Sequence, residues 1–127
     1  MPQDDTLSRR ERQIMDIIYA RGQASVAQVH QAMRDRPSYS TVRALMSILE
    51  HKGRLRHVKQ ANKYVYLPTQ SRQAASRSAA RRLLQTFFDG STEAAVAALL
   101  KVSKDELTRE QLDRLAGLIE QAKNEGR

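Results

Sequence analysis

In the stretch Ser38–Gly53, SYSTVRALMSILEHKG, spacing separates two sets of residues. Val42, Leu45, Met46 and Leu49 recur at i, i+3, i+4 and i+7, the pattern of one buried helix face. Ser40, Ala44, Ser47 and His51 fall on the opposite face, with Arg43 at its edge. Short side chains let a helix backbone approach another surface closely, and the major groove of B-DNA admits one α-helix. A guanidinium such as that of Arg43 can bond guanine O6 and N7 or a phosphate, and a methyl such as that of Ala44 can meet a thymine methyl. At the helix start, Ser38 and Thr41 can donate to phosphate, helped by the free N–H groups and the helix dipole, with Tyr39 in the same turn. A solvated helix whose outer face happened to be small would carry the same letters. The surrounding elements must therefore decide what the face is for.

Those elements read as follows. Ser8-Arg9-Arg10-Glu11 has the form of a capping box, in which a hydroxyl and a carboxylate satisfy the first free N–H groups of a helix. Ile14, Ile17 and Ile18 give that helix an apolar stripe ending at Gly22. Ser25-Val26-Ala27-Gln28 is a second box, followed by Val26, Val29, His30 and Met33 on one face; Asp35-Arg36-Pro37 ends this helix. Ser38 caps the third helix, which stops at Lys52-Gly53. Leu55–Val58 and Tyr64–Leu67 are then short β-prone runs around the polar loop Lys59–Lys63, with Pro68 closing the second. Lys59, Asn62 and Lys63 at the tip, with Arg54, Arg56 and His57 beside it, make a basic wing able to grip backbone phosphates. Three short helices and a hairpin, in this order, are the plan of a winged helix-turn-helix.

Charge agrees with that plan. Of the 127 residues, 22 are Lys or Arg and 14 are Asp or Glu, for a net charge of +8 and a pI of about 10.3. Residues 1–82 hold 16 of the basic residues against 6 acidic ones, whereas residues 83–127 hold 6 against 8. A basic first part suits a polyanion, and the nearly neutral remainder suits another task. The chain has no Cys, which excludes disulfides and thiolate metal sites and fits a reducing compartment. With no apolar signal core at the N-terminus and no run of membrane-spanning length, the expected location is cytoplasmic without membrane insertion. His30, His51 and His57 lack metal-ligand spacing, and no catalytic or cofactor motif is present. The expectation is a non-enzyme with no cofactor and no metal. Asp105, Glu106, Glu110 and Asp113 are read as acids favouring a helix N-terminus.

After Pro68, residues 70–88 read as a fourth helix with Ala75, Ala79, Leu83 and Phe87 at i+4 steps. Ser91 caps a fifth helix on Ala95, Val96, Leu99 and Leu100; Thr108-Arg109-Glu110-Gln111 boxes a sixth on Leu112, Leu115, Leu118 and Ile119. Three short helices bury Ala79, Leu83, Leu84, Phe87, Phe88, Val96, Leu99, Leu100, Leu112, Leu115 and Ile119 poorly within one monomer. A twofold partner would cover them, at roughly 25 cal/mol per Å² of apolar area. The alternative is a self-contained three-helix cap. The expected organisation is mostly α, with a winged-helix DNA-binding domain over residues 1–70 and a helical dimerisation domain over 71–127.

With these residues in view, the chain resembles the penicillinase and methicillin-resistance repressor family. The matching stretches are Ser38-Tyr39-Ser40-Thr41-Val42-Arg43-Ala44-Leu45, Leu49-Glu50-His51-Lys52-Gly53 and Tyr64-Val65-Tyr66-Leu67-Pro68. The Arg9–Ile18 helix and the Leu107–Ile119 pattern also fit, so the likeness covers nearly the whole chain. It implies a homodimeric repressor on a pseudo-palindromic DNA operator, with base and phosphate contacts from Ser40, Thr41, Arg43 and Ser47. It also implies, as regulator, a membrane metalloprotease receptor whose signal leads to cleavage in the fifth helix. Where the β-lactam repressors are cut at an Asn-Phe bond, this chain reads Leu100-Lys101; where they often carry proline, it has Tyr39. The copper-sensing branch has a C-terminal cysteine cluster that is absent here. The competing expectation is a winged-helix module that binds protein and does not read DNA.

Overall fold

The computed structural model describes residues 7–126. Its elements run α1 (Arg9–Arg21), α2 (Val26–Ala32), α3 (Tyr39–His51), β1 (Leu55–Gln60), β2 (Lys63–Pro68), α4 (Arg72–Phe88), α5 (Thr92–Val102) and α6 (Arg109–Gly126). This is the expected winged helix-turn-helix order followed by three helices. Two compact units divide between Ala79 and Ala80, within the sequence of α4.

In the first unit, local chemistry sets the helix ends. The Ser8–Glu11 box is closed both ways: the Glu11 N–H donates to Ser8 Oγ at 3.2 Å and the Ser8 N–H to Glu11 Oε1 at 2.8 Å. The Ser25–Gln28 box repeats this at 3.2 and 2.9 Å. At the other end of α1, Arg72 Nη2 donates to the carbonyls of Tyr19 and Ala20 at 2.8 and 3.2 Å. A cation there satisfies carbonyls that the helix leaves without partners and complements the dipole. The Tyr19 hydroxyl adds a bond to the Gln70 carbonyl at 3.1 Å.

The core of this unit is made by Ile14, Met15 and Ile18 of α1, Val29 and Met33 around α2, and Val42, Met46 and Leu49 of α3. Leu55 and Tyr66 of the hairpin close it, and Ala24 bridges to Tyr66 as a short third strand position. Leu45, expected on the buried face, is partly buried against this core. Among the described residues the one buried carboxylate is Glu11, 4% exposed.

The hairpin departs from the sequence reading. The expected five-residue loop Lys59–Lys63 is a two-residue connection, because β1 and β2 extend to Gln60 and Lys63, which pair with each other. Ala61 and Asn62 both have positive φ, 49° and 66°, the requirement of a type I′ turn. Asn in the second position tolerates this backbone, so a tight turn forms without the Asn-Gly pair that the sequence lacks.

In the second unit, α5 buries Ala95, and α4 and α6 bury none of their described residues. Ser91 caps α5 and Thr108–Gln111 form the expected box ahead of α6. Leu83, Phe87, Val96, Leu99, Leu100, Leu112, Leu115 and Ile119 are all exposed, Phe87 at 73%. Leu84 and Phe88 are half-buried, and Ala79, the last residue of the first unit, is exposed. Leu118 and Val102 extend the exposed apolar set, Val102 at 82%.

Candidate nucleic-acid interface

α3 follows a cap that also organises its polar start. The Ser38 hydroxyl oxygen accepts from the Thr41 N–H at 3.1 Å, and the Ser38 O–H donates to Thr41 Oγ1 at 2.8 Å. Ser40 Oγ lies 3.2 Å from Ser38 Oγ. Ser38 is thereby engaged inside this cluster, and Thr41 is half-buried beside it. Tyr39 stands exposed in the first turn, its ring edge-on to His30 at 5.7 Å. His30 donates from Nε2 to the Pro37 carbonyl at 3.0 Å, since a carbonyl can only accept. It thus holds the turn between α2 and α3.

Val42, Met46 and Leu49 anchor α3, so Ser40, Arg43, Ala44 and Ser47 point away from the core and are exposed. Among the described residues the Arg43 guanidinium has no hydrogen-bond or ion-pair partner. Ile48, which the sequence reading did not single out, shares this outward side and is 44% exposed. Its signal was available: at 100° per residue, Ile48 lies next to Ala44 rather than Leu45.

The hairpin lies beside α3. Between them, Tyr39, Arg43, Lys63, Tyr64 and Tyr66 line a cleft of about 310 Å³ together with Ser25, Val26 and Ala27. Burial raises the Tyr66 hydroxyl pKa, and the Glu50 carboxylate pushes the same way; the Arg43 cation opposes them. Tyr66 therefore stays a neutral donor. Tyr64, two residues away along the strand, is 54% exposed, so of the two strand tyrosines only Tyr66 packs beneath the wing. His57 packs against both rings, with centroids at 4.6 and 5.5 Å, and its Nδ1 donates to Glu50 Oε2, joining the wing to the end of α3.

Lys59 and Lys63 sit on the strands, opposite Tyr64 and Gln60, rather than in the turn; Asn62 alone of the three occupies the tip. Lys59, Asn62, Lys63 and Arg56 are exposed, and Arg54 is half-buried near the start of the hairpin. Of these wing cations, Lys63 lines the cleft beside Arg43 of α3. Among the described residues, no group of His, Asp and Glu is placed to hold a metal ion.

A capped helix pair, a third helix with a smooth outward face and an adjoining two-stranded wing together define a winged helix-turn-helix protein. The chain belongs to the penicillinase repressor family, whose model matches residues 7–121. Membership places it among DNA-binding transcription regulators rather than enzymes. It is also similar to the solved structure of Bordetella bronchiseptica BpsR, a protein whose DNA binding is regulated by 6-hydroxynicotinic acid. Identity there is 19%, the TM-score 0.52, and the match covers 82% of this chain and 78% of that one, a likeness of fold. No curated protein matches the chain in sequence. Among the described residues, no helix is long and apolar enough to cross a membrane.

Proposed function

We propose that the protein is a homodimeric transcriptional repressor that reads a pseudo-palindromic operator with α3. Ser40, Thr41, Arg43, Ala44 and Ser47 face the bases and nearest phosphates, with Ser38 and Tyr39 at the edge of the groove. Arg54, Arg56, Lys59, Asn62 and Lys63 grip flanking phosphates from the wing. The observation that carries this reading is the outward face of α3: Ser40, Ala44 and Ser47 are exposed and short beside Arg43, whose guanidinium has no partner among the described residues, and Lys63 of the wing lines a cleft with that arginine. A surface built for a protein partner would be expected to centre on a cluster of apolar anchors, whereas this one sets Ile48 and Tyr39 singly among short polar groups and positive charge.

The second unit supports the dimer. Its apolar side chains lie open across α4, α5 and α6, and a twofold partner offers the same face for mutual burial. Family membership favours relief of repression by a proteolytic signal from a membrane metalloprotease receptor. The Leu100–Lys101 bond lies within α5, so a protease acting there would have to open that helix first.

Selection from a pool of randomised duplexes, at physiological salt and with the full chain, tests the reading. The expected product is an inverted repeat whose half-sites are one helical turn, about 10 bp, or a multiple apart. A pool that emerges without any enriched sequence would remove the repressor reading.

A further inference from the structure

Arg36 lies in the turn between α2 and α3, two residues ahead of the Ser38 cap. Its φ is +48°, in the left-handed region that glycine and asparagine enter far more readily than arginine. The next residue is Pro37, which bars Arg36 from the ordinary helical conformation. The turn is pinned on both sides of it. The Asp35 carboxylate accepts from Arg10 Nε at 3.3 Å, and the Pro37 carbonyl accepts from His30 at 3.0 Å, with Met33 and Pro37 buried. These neighbours hold the backbone; the Arg36 side chain does not. It is exposed and, among the described residues, has no hydrogen-bond or ion-pair partner.

An arginine here therefore supplies the fold with nothing that glycine would not supply at lower strain. Conformations of this kind persist where the surrounding structure over-determines them, and they cluster at binding and active sites. The position is next to the hydroxyl cluster of Ser38, Ser40 and Thr41 at the start of α3. We propose that Arg36 is a DNA-backbone contact, its guanidinium taking a phosphate at the edge of the segment that α3 enters. This rests on the DNA-binding reading above and adds a residue to it. Such a contact positions the protein on the duplex and is indifferent to base sequence.

The test uses the full chain, a random-sequence duplex long enough for both half-sites, and titrations over a range of salt concentrations. Arg36→Gly is expected to raise the melting temperature by about 2–5 °C while weakening DNA binding about three- to tenfold. The plot of log K against log salt should become shallower by about 0.9 for each phosphate that the variant no longer neutralises. Arg36→Lys should keep the slope. Arg36→Gly binding with wild-type affinity and slope would overturn the proposal, as would weaker binding at an unchanged slope. So would a lower melting temperature in both Arg36→Gly and Arg36→Asn, since the fold would then need the arginine. Wild-type protein that fails to bind any duplex defeats the DNA-binding reading itself, whereas binding that is indifferent to Arg36 defeats only this inference.

Discussion

Lys52, the residue that closes α3, donates from Nζ to Glu11 Oε1 in the first turn of α1 at 2.9 Å. The same carboxylate oxygen accepts the Ser8 N–H, so one buried group both caps α1 and ties down the far end of α3. The two residues are 41 positions apart, and the bond fixes how α3 lies across the core. Removing Glu11 leaves a half-buried ammonium and an open cap. Glu11→Ala should destabilise the protein by roughly 1–3 kcal/mol, toward the lower part of the range for buried pairs because Lys52 keeps access to water. Glu11→Gln, which can preserve the capping bonds, should cost less. Urea unfolding of the two variants checks this, and equal losses would mean that the carboxylate charge contributes nothing.

The same carboxylate sets an acid limit. Burial by itself would raise the Glu11 pKa, but the Ser8 N–H, the Lys52 ammonium and the Ser8 hydroxyl more than offset it, and the net shift is downward. A folded pKa below the unfolded value means that the unfolded chain binds the proton first. The stabilisation is then fully present above pH 4.5 and is lost as pH falls through the lowered folded value. Wild-type stability should therefore decline below about pH 4.5 more steeply than that of Glu11→Gln. Parallel pH profiles for the two proteins would contradict the assigned shift.

At the wing tip, Ala61 adopts a positive φ that alanine disfavours. Asparagine enters this region more easily and is favoured at the first position of such turns. Ala61→Asn should raise stability by about 0.5 kcal/mol, seen as a higher urea midpoint at an unchanged m value. A lower midpoint would show that the turn does not hold Ala61 in that conformation.

The wing also shows where sequence reading stops. Capping boxes and i, i+3, i+4 stripes located all six helices, because hydroxyl, carboxylate and apolar spacing act within a few residues. Strand ends do not work this way. Lys59 and Lys63 look like loop residues by composition, yet ladder pairing across the hairpin carries them into the strands. The Glu11–Lys52 bond and the left-handed turn at Arg36 depend on the approach of distant segments and on backbone angles. No local pattern announces either. Ile48 was legible from helical spacing but was hidden by its resemblance to a core residue.

For Arg43, the prediction follows from its isolation. It is exposed and has no partner among the described residues, so Arg43→Ala should leave the melting temperature within about 1 °C of wild type. Specific DNA binding should weaken by roughly 1–3 kcal/mol per half-site, with most of the discrimination at one base position relaxed. Competition between the selected operator and random duplex measures both effects. Unchanged discrimination would move Arg43 from base readout to the phosphate backbone.

The second unit offers a check that does not depend on the operator. Phe87 and Ile119 are largely exposed in the single chain, so a charge at either position costs the isolated fold little. Buried at a twofold interface, the same charge would lose its water without gaining a partner, which costs several kcal/mol. Phe87→Asp and Ile119→Asp should therefore convert a dimer into a monomer in sedimentation experiments, while the capped helices of the first unit keep their fold. Their operator affinity should fall by about a hundredfold or more, because the second half-site is no longer held at high effective concentration. Wild-type protein that remains monomeric at high micromolar concentration would contradict the dimer, and the open apolar faces of α4, α5 and α6 would then require a different partner.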